Sequence, residues 1–549
     1  MGWINADGSK AFSDRHAAAQ SVPIVDEKQN YELIELSEAD GKTTLHFRRK
    51  LSQCDEKDAL IAGTARVIFA WGTEKPVAGT PKMHQAKHRG SRSINILNSK
   101  PLGLPPTESD VVLVESKFDN ALAPGRLGRT RYMLQAFKFP QTTKHHIVGS
   151  EVFFPANETL QTHHVLVYLC NFPINATDMT YVGPKRGAPE SLRQCDFVRP
   201  IAGWAVGGLA EWFPKEFGIP VGQDEANRYA VIELHLDVAD ASADVRTNVG
   251  VRFHVTPTLR KDDGSLMTFG TNVDDWLMTP PNVPAGKRRG FCATQCTNAL
   301  PEKSYVYGVL LHAHMAGVAI EARHISADGT EQPPLAQDKH YDFNLQQWTW
   351  LPEPRLFGRG DQVIVTCTYN TVGRAATPTN PNAVTLGGEG TDEEMCLVYV
   401  LASSPGNEIG LTGCISTGTE DKFGAMFAQG AFGEMPPLTD DFTGWLKFNA
   451  SFADNFETVY DAVDTSPLLK SVQPVCIASN GQLSFPNKTS SRSFEPRTPY
   501  VPPTFTCPLL TTTTTTAATT IAATTTTSAT TTGLSLVATA VAIIFAQFH

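Results

Sequence analysis

The sequence predicts an all-β chain built of β-sandwich (jelly-roll-like) domains in series. Three observations predict it. Residues 31 to 72 alternate apolar and polar, as in "YELIELSEADGKTTLHFRRKL" and "GTARVIFAWG", with turn residues between. Strand-like runs recur in two further stretches, from Val111 to about Thr256 and from about Leu259 to Leu401. Long helical periodicity is scarce outside "DDFTGWLKFNASFADNFETVYDAV".

Taken in order, the first strands give way to a Pro- and Gly-rich stretch from Lys75 to Pro106, which reads as a linker. "DVVLVESKF", "HHVLVYLC" and "YAVIELHLDV" are strands of the next unit. "SYVYGVLLHAHMAGVAIEA", "DQVIVTCTYN" and "MCLVYVLA" belong to the one after. From Thr511 to Thr532 the chain is almost pure Thr and Ala, the composition of an O-glycosylated stalk. It closes on "LSLVATAVAIIFAQFH", 16 residues without a basic tail. That is short of the roughly 20 that cross a bilayer. Small residues followed by a terminal apolar run are the layout of a lipid-anchor signal, with a short membrane helix as the alternative.

A length of 549 residues suggests three or four domains. The net charge of −10 argues against a nucleic-acid partner, whose phosphates need a Lys/Arg-rich face. Ten cysteines and four N-x-[ST] sequons, at Asn157, Asn175, Asn449 and Asn487, suggest an oxidising, secretory compartment. The start "MGWINADGSK" has neither a basic segment nor an apolar core, so it is no signal peptide, and Ala6 spoils a myristoylation match. A truncated N-terminus reconciles the two ends. No nucleotide-binding glycine loop and no "GxSxG" elbow is present, so phosphoryl transfer and serine hydrolysis lose weight.

The histidines carry the chemistry. "LLHAHMAG" sets His312 and His314 two residues apart, on one face of a strand, where both imidazoles can reach one ion. His235 lies in the alternating strand "ELHLDV". The neighbours His163 and His164 in "QTHHVLVYLC" point to opposite faces of a regular strand, and both reach one ion only where the backbone kinks or bulges. "GTDEEMCLVYV" presents Met395 at a strand entrance. A thioether suits Cu(I) and is a poor zinc ligand, although H-x-H alone fits zinc equally well. Each residue also has a plain structural reading, as a hydrogen-bonded or packing residue of the core. Spacing alone therefore leads to a candidate metal site and no further.

In this order, the HH pair, the strand His, the H-x-H and the E-M-C resemble the copper type II, ascorbate-dependent monooxygenases. That family includes dopamine β-hydroxylase, peptidylglycine α-hydroxylating monooxygenase and the DBH-like enzymes. The resemblance runs from Lys42 to about Cys507 and includes "GWAVGG", "FPKEFGIPVG" and "GFCATQCT". "GWINADGSKAFSDRHA", "FRRKLSQCDEKD" and "GTARVIFAWG" are similar to parts of a DOMON domain whose opening strands are missing. It implies a partial DOMON domain over 1–74, a linker over 75–110 and two catalytic sandwiches over 111–256 and 257–425. An extension (426–509), the stalk (510–533) and the apolar tail (534–549) follow.

The resemblance assigns an electron-transfer copper to His163, His164 and His235. It assigns the copper of O₂ chemistry to His312, His314 and Met395, on a second sandwich facing the first across a cleft. Two copper ions, ascorbate as reductant and O₂ as co-substrate are implied, for hydroxylation of a substrate C–H bond. Tyr132 and His312 are the implied catalytic residues, and the pair His145 and His146 matches a non-ligand pair. Implied disulfides are Cys54–Cys507, Cys170–Cys195, Cys292–Cys414, Cys296–Cys476 and Cys367–Cys396. One further bridge of dopamine β-hydroxylase is absent, with Leu134 and Lys185 at its two positions. Peptidylglycine enzymes grip a carboxylate with an Arg, an Asn and a Tyr where this chain has Leu310, Leu397 and Tyr399, so that clamp is incomplete. The expected partners are a small-molecule substrate, a membrane through the tail and a second copy as a homodimer. The rival expectation is a non-catalytic, surface-anchored binding protein.

Overall fold

A computed structural model describes residues 1–417 apart from isolated positions and short segments, chiefly 52–54, 76–82, 97–104, 155–160, 196–198, 272–276 and 376–382. It also describes 471–502 apart from 491–493, and the strand residues 537–538 and 542–547. The sequons at Asn157 and Asn449, the Cys54–Cys507 pair, the segment 440–463 and the Thr-rich stalk lie outside the described residues. The chain divides into two compact units, Met1–Leu97 with Pro502–His549, and Asn98–Val501. Strands dominate both, as the alternating patterns require.

In the smaller unit, Glu32–Ala39 and Lys42–Arg48 form a hairpin closed by Asp40 and Gly41, with φ of 50° and 69°. Two successive positive φ values make the two-residue loop whose twist matches the strands, and Asp-Gly tolerates them. Leu36, Leu45 and Ile4 pack beneath it. Thr64–Trp71 pairs with Arg89–Asn95, a strand inside the stretch expected to be linker. Its sequence "RGSRSIN" is polar and Gly-containing, which hides an edge strand from a composition-based reading. Ala542–Gln547, in the expected membrane tail, pairs with the other edge of Thr64–Trp71. A short apolar run satisfies a sheet edge as well as a membrane, and periodicity does not separate the two. No helix among the described residues is long and apolar enough to cross a membrane.

The larger unit holds two sandwiches. One face of the first is a five-stranded sheet ordered Val182–Pro184, Thr130–Lys138, Tyr229–Asp237, Thr162–Leu169, Pro200–Ala205. Its middle strand is buried on both faces. Ala230, Ile232, Leu234 and Leu236 enter the main core, while Tyr229 and Val231 join a second cluster with Leu134 and Cys195 on the outer face. By the two-residue period, Glu233 and His235 share that outer face. The opposite sheet, with His145–Phe153 and Gly250–Thr256, does not stop at the sandwich boundary. Phe217 and Gly218 pair in parallel with Asp262 and Asp263, and 13 described strands form one sheet through both sandwiches. A Cβ on Gly264 would lie 2.2 Å from the Phe217 ring, so this approach needs glycine.

The second sandwich is stapled through its core by Cys292–Cys414, Cys296–Cys476 and Cys367–Cys396, and the first carries Cys170–Cys195. These are four of the five pairs the resemblance implied.

Candidate metal centres

The bulge that adjacent histidines need is present. Pairing between Thr162–Leu169 and Tyr229–Asp237 slips between Thr162 and His164, so His163 is the extra residue and turns to its neighbour's side. His235 lies opposite His164 on one side and opposite Tyr132 on the other. The imidazoles of His163, His164 and His235 converge, with one nitrogen from each within 4.8 Å of the others. All three are buried. Tyr132 stacks on His235 at 4.3 Å between ring centroids, and its hydroxyl donates to the Glu389 carbonyl at 3.0 Å.

Hydrogen bonds fix which nitrogens are free. His164 presents Nε2 to the Glu233 carboxylate at 3.4 Å, which leaves its Nδ1 as the lone-pair atom. That Nδ1 lies 3.1 Å from Nδ1 of His163. His163 Nε2 and both ring nitrogens of His235 are buried without a protein partner. Buried polar atoms are almost always paired. A cluster of orphaned imidazole nitrogens aimed at one point therefore fits a cation.

The second constellation reads in the opposite sense. His312 ends the strand Ser304–His312, and its Nδ1 donates to Gln346 Oε1 at 2.6 Å. His314 Nδ1 donates to the Glu393 carbonyl at 3.2 Å, leaving its buried Nε2 orphaned. His312 pairs with Leu397 on the neighbouring antiparallel strand. Two residues beyond that pair stand His314 and Met395. Glu394 is fully buried, and its carboxylate accepts the backbone N–H groups of His314 and Ala316 at 2.9 and 2.6 Å. Tyr369 donates to the Met395 carbonyl at 2.8 Å, and Cys396 is bridged to Cys367. Tyr341 both donates to and accepts from the Ala313 backbone. The second constellation thus offers two imidazoles, with Met395 two residues from Leu397, the strand partner of His312.

Burial is the first cause that holds four of the five imidazoles, His163, His235, His312 and His314, neutral, with neighbouring histidines adding to it. It pushes His312 down to about 4, and His163, His235 and His314 well below the usual histidine range. Neutral imidazole is the ligating form, so the sites are ready for metal at neutral pH. Burial also pushes Glu394 up to about 7 despite its two N–H donors.

The two constellations touch. The rings of His163 and His314 meet edge-on at 5.3 Å, and Phe343 stacks on His163 at 5.3 Å. The two sets of histidines thus meet at ring-contact distance where the two sandwiches adjoin. His146 bonds Asp263 through Nε2 and accepts the Arg260 N–H through Nδ1, both at 2.8 Å, and His145 bonds the Thr143 carbonyl. That pair is structural. Sequence reasoning missed Glu233, Gln346, Phe343 and Glu394. Glu233 was signalled by its place two residues before His235, and Glu394 by its place beside Met395. Nothing local marks Gln346 or Phe343.

Beside Gln346 lies a small recess lined by Leu310, Trp204, Trp348 and Trp350, with Glu211 at its wall. Trp348 Nε1 donates to Glu211 Oε1 at 2.5 Å and Ser150 to Oε2 at 3.2 Å. Burial pushes this carboxyl up to about 8.

Sequence comparison places the chain among known proteins. Profiles of the copper type II ascorbate-dependent monooxygenase N- and C-terminal domains match residues 117–243 and 262–427, together more than half of the chain. A DOMON profile matches 1–72. DBH-like monooxygenase protein 1 of Gallus gallus is 32% identical over 74% of this chain and 65% of its own length. The Homo sapiens protein of that name is 32% identical over 75% and 66%. Dopamine beta-hydroxylase of Canis lupus familiaris is 27% identical over 72% and 62%. The chain thus spans just under two thirds of the length of these relatives. Among solved structures, the major capsid protein P2 of bacteriophage PM2 aligns with a TM-score of 0.21 at 10% identity, which supports no argument. Matched in both halves of its double sandwich, this chain belongs to the copper type II ascorbate-dependent monooxygenase family.

Proposed function

We propose that the protein is a DBH-like copper monooxygenase that hydroxylates a C–H bond of a small substrate, with O₂ as co-substrate and ascorbate as electron donor. The observation that carries this reading is the convergent, orphaned cluster of His163, His164 and His235, with the orphaned Nε2 of His314 on a ring in contact with His163. His163, His164 and His235 would hold one copper, and His312, His314 and Met395 the other. Copper, when bound, supplies one-electron redox chemistry and the activation of O₂. The reaction balances when R–H, O₂, two electrons and two protons give R–OH and water.

The chain's own residues do the rest. Burial keeps four of the five imidazoles unprotonated, so both lone-pair sets stay available for metal. Gln346 and the Glu393 carbonyl fix the tautomers of His312 and His314. Phe343 packs against His163 and His314 and keeps water from the space around them. Tyr132, stacked on His235 and bonded to the loop that leads to Met395, is the residue of this chain best placed to couple the two halves.

The recess beside Gln346, which would have to widen to admit a substrate, marks the candidate substrate side. Its walls are mostly apolar, and Leu310 offers no grip for a peptide carboxylate. The buried disulfides support a secretory setting. Asn175 and Asn487 are exposed and accessible to glycosylation. A C-terminal lipid anchor, a short membrane helix and a homodimer belong to the same reading. Metal analysis of the purified chain tests it. The expected result is about two coppers per chain with ascorbate-dependent O₂ uptake, and a chain that binds no copper would be the non-catalytic binding protein instead.

A further inference from the structure

We infer that Lys185 is a positioning residue that sets the redox balance of the three-histidine site through Glu233, an inference that rests on that site holding copper. Lys185 follows the edge strand Val182–Pro184, and its backbone N–H donates to the Tyr132 carbonyl at 2.8 Å. Its ammonium lies 2.6 Å from Glu233 Oε2, while Glu233 Oε1 faces His164 Nε2 at 3.4 Å. The same ammonium sits 5.4 Å from the centroid of the Tyr132 ring, which stacks on His235 and also meets His164. One positive charge therefore reaches two of the three candidate ligands, each through a single intermediary.

The physics fixes the sign. A carboxylate bonded to a ligating imidazole makes it a stronger donor and favours the more oxidised, more highly charged ion. Glu233 is 1% exposed, so its charge is poorly screened by water. Lys185 neutralises most of that charge and makes the oxidised ion less favoured. It thereby raises the potential at which ascorbate delivers its electron. A carboxylate alone would over-stabilise Cu(II); the pair leaves the imidazole oriented without that penalty. Lysine at this position is thus part of the electron-transfer site, although it touches no metal.

The test uses the full chain with His312→Ala and His314→Ala, so that only the three-histidine site binds copper, followed by spectroelectrochemical titration and Cu(II) paramagnetic resonance. Lys185→Met is expected to bind one copper and to shift the Cu(I)/Cu(II) ratio at fixed potential toward Cu(II) on the order of tenfold, about 59 mV for a one-electron couple. Lys185→Arg keeps the parent midpoint, Glu233→Gln raises it, and Lys185→Met with Glu233→Gln returns it toward the parent. An unshifted Lys185→Met midpoint, or an equal shift in Lys185→Arg, overturns the inference while leaving the copper reading intact. Should Lys185→Met fail to fold, an unshifted Glu233→Gln decides against it. A parent that binds no copper overturns both.

Discussion

The two candidate metal centres hold their imidazoles in opposite ways. At the three-histidine site, Glu233 occupies Nε2 of His164 and leaves Nδ1 to face its neighbour. At the second, Gln346 and the Glu393 carbonyl occupy Nδ1 and leave Nε2. The first is built inside a sheet, on strands whose partners lie on both sides. The second is built where a strand ends, and its turn is held by Glu394, Tyr341 and a disulfide. A site inside a sheet has its ligand positions fixed by the ladder. A site at a strand end needs added bonds to fix it. The two centres are thus fixed by different means.

Three experiments probe the contrast, from the largest expected effect to the smallest. Met395→Ile should keep the fold and the copper of the three-histidine site while abolishing hydroxylation; copper counting beside an ascorbate-driven turnover assay checks it, and retained turnover would refute the division of labour. Gln346→Leu should cost roughly 10- to 100-fold in copper affinity at the second site alone, because His312 loses the partner that fixes its tautomer. Competition with a calibrated chelator reads this directly, and equal losses at both sites would erase the asymmetry.

The smallest effect concerns Glu211, beside the recess shared by Trp204 and Trp348. Its folded pKa lies above its unfolded one, so the folded chain holds an extra proton between about pH 4.5 and 8. Stability contributed by the protonated form is complete below that window and is lost as pH rises through it. Glu211→Gln should remove this loss, which is on the order of 1 kcal/mol per pH unit at most. Melting curves at pH 6 and pH 8 would show it as a gain of a few degrees that grows with pH. A gain that does not vary with pH would mean the carboxyl titrates normally.

Much of this site was legible in the chain itself. H-x-H carries its own geometry, because i and i+2 share a face of any strand. The pair His163 and His164 carried a condition instead of an answer: without a bulge, one of them would be lost to the other face. A look-alike pair stood eighteen residues upstream, and only the Asp263 and Arg260 contacts of His146 show why it is no ligand. Gln346, Phe343 and Glu211 were illegible for another reason. They arrive from loops and turns far along the chain, and their meeting with the histidines is a fact of tertiary packing. The fold class was readable from alternation, whereas the strand at Arg89–Asn95 was masked by polar composition and the pairing of Ala542–Gln547 by its apolar one.

The sheet that runs through both sandwiches has a kinetic consequence. Phe217 and Gly218 must already be in register before Asp262 and Asp263 can dock beside them in parallel, and parallel docking needs a long intervening crossover. Non-local pairing of this kind is slow to form. The first sandwich emerges earlier from the ribosome and offers its edge as a template for the second. A lesion in the first half would then delay maturation of the second half's centre, however distant the lesion lies from any ligand.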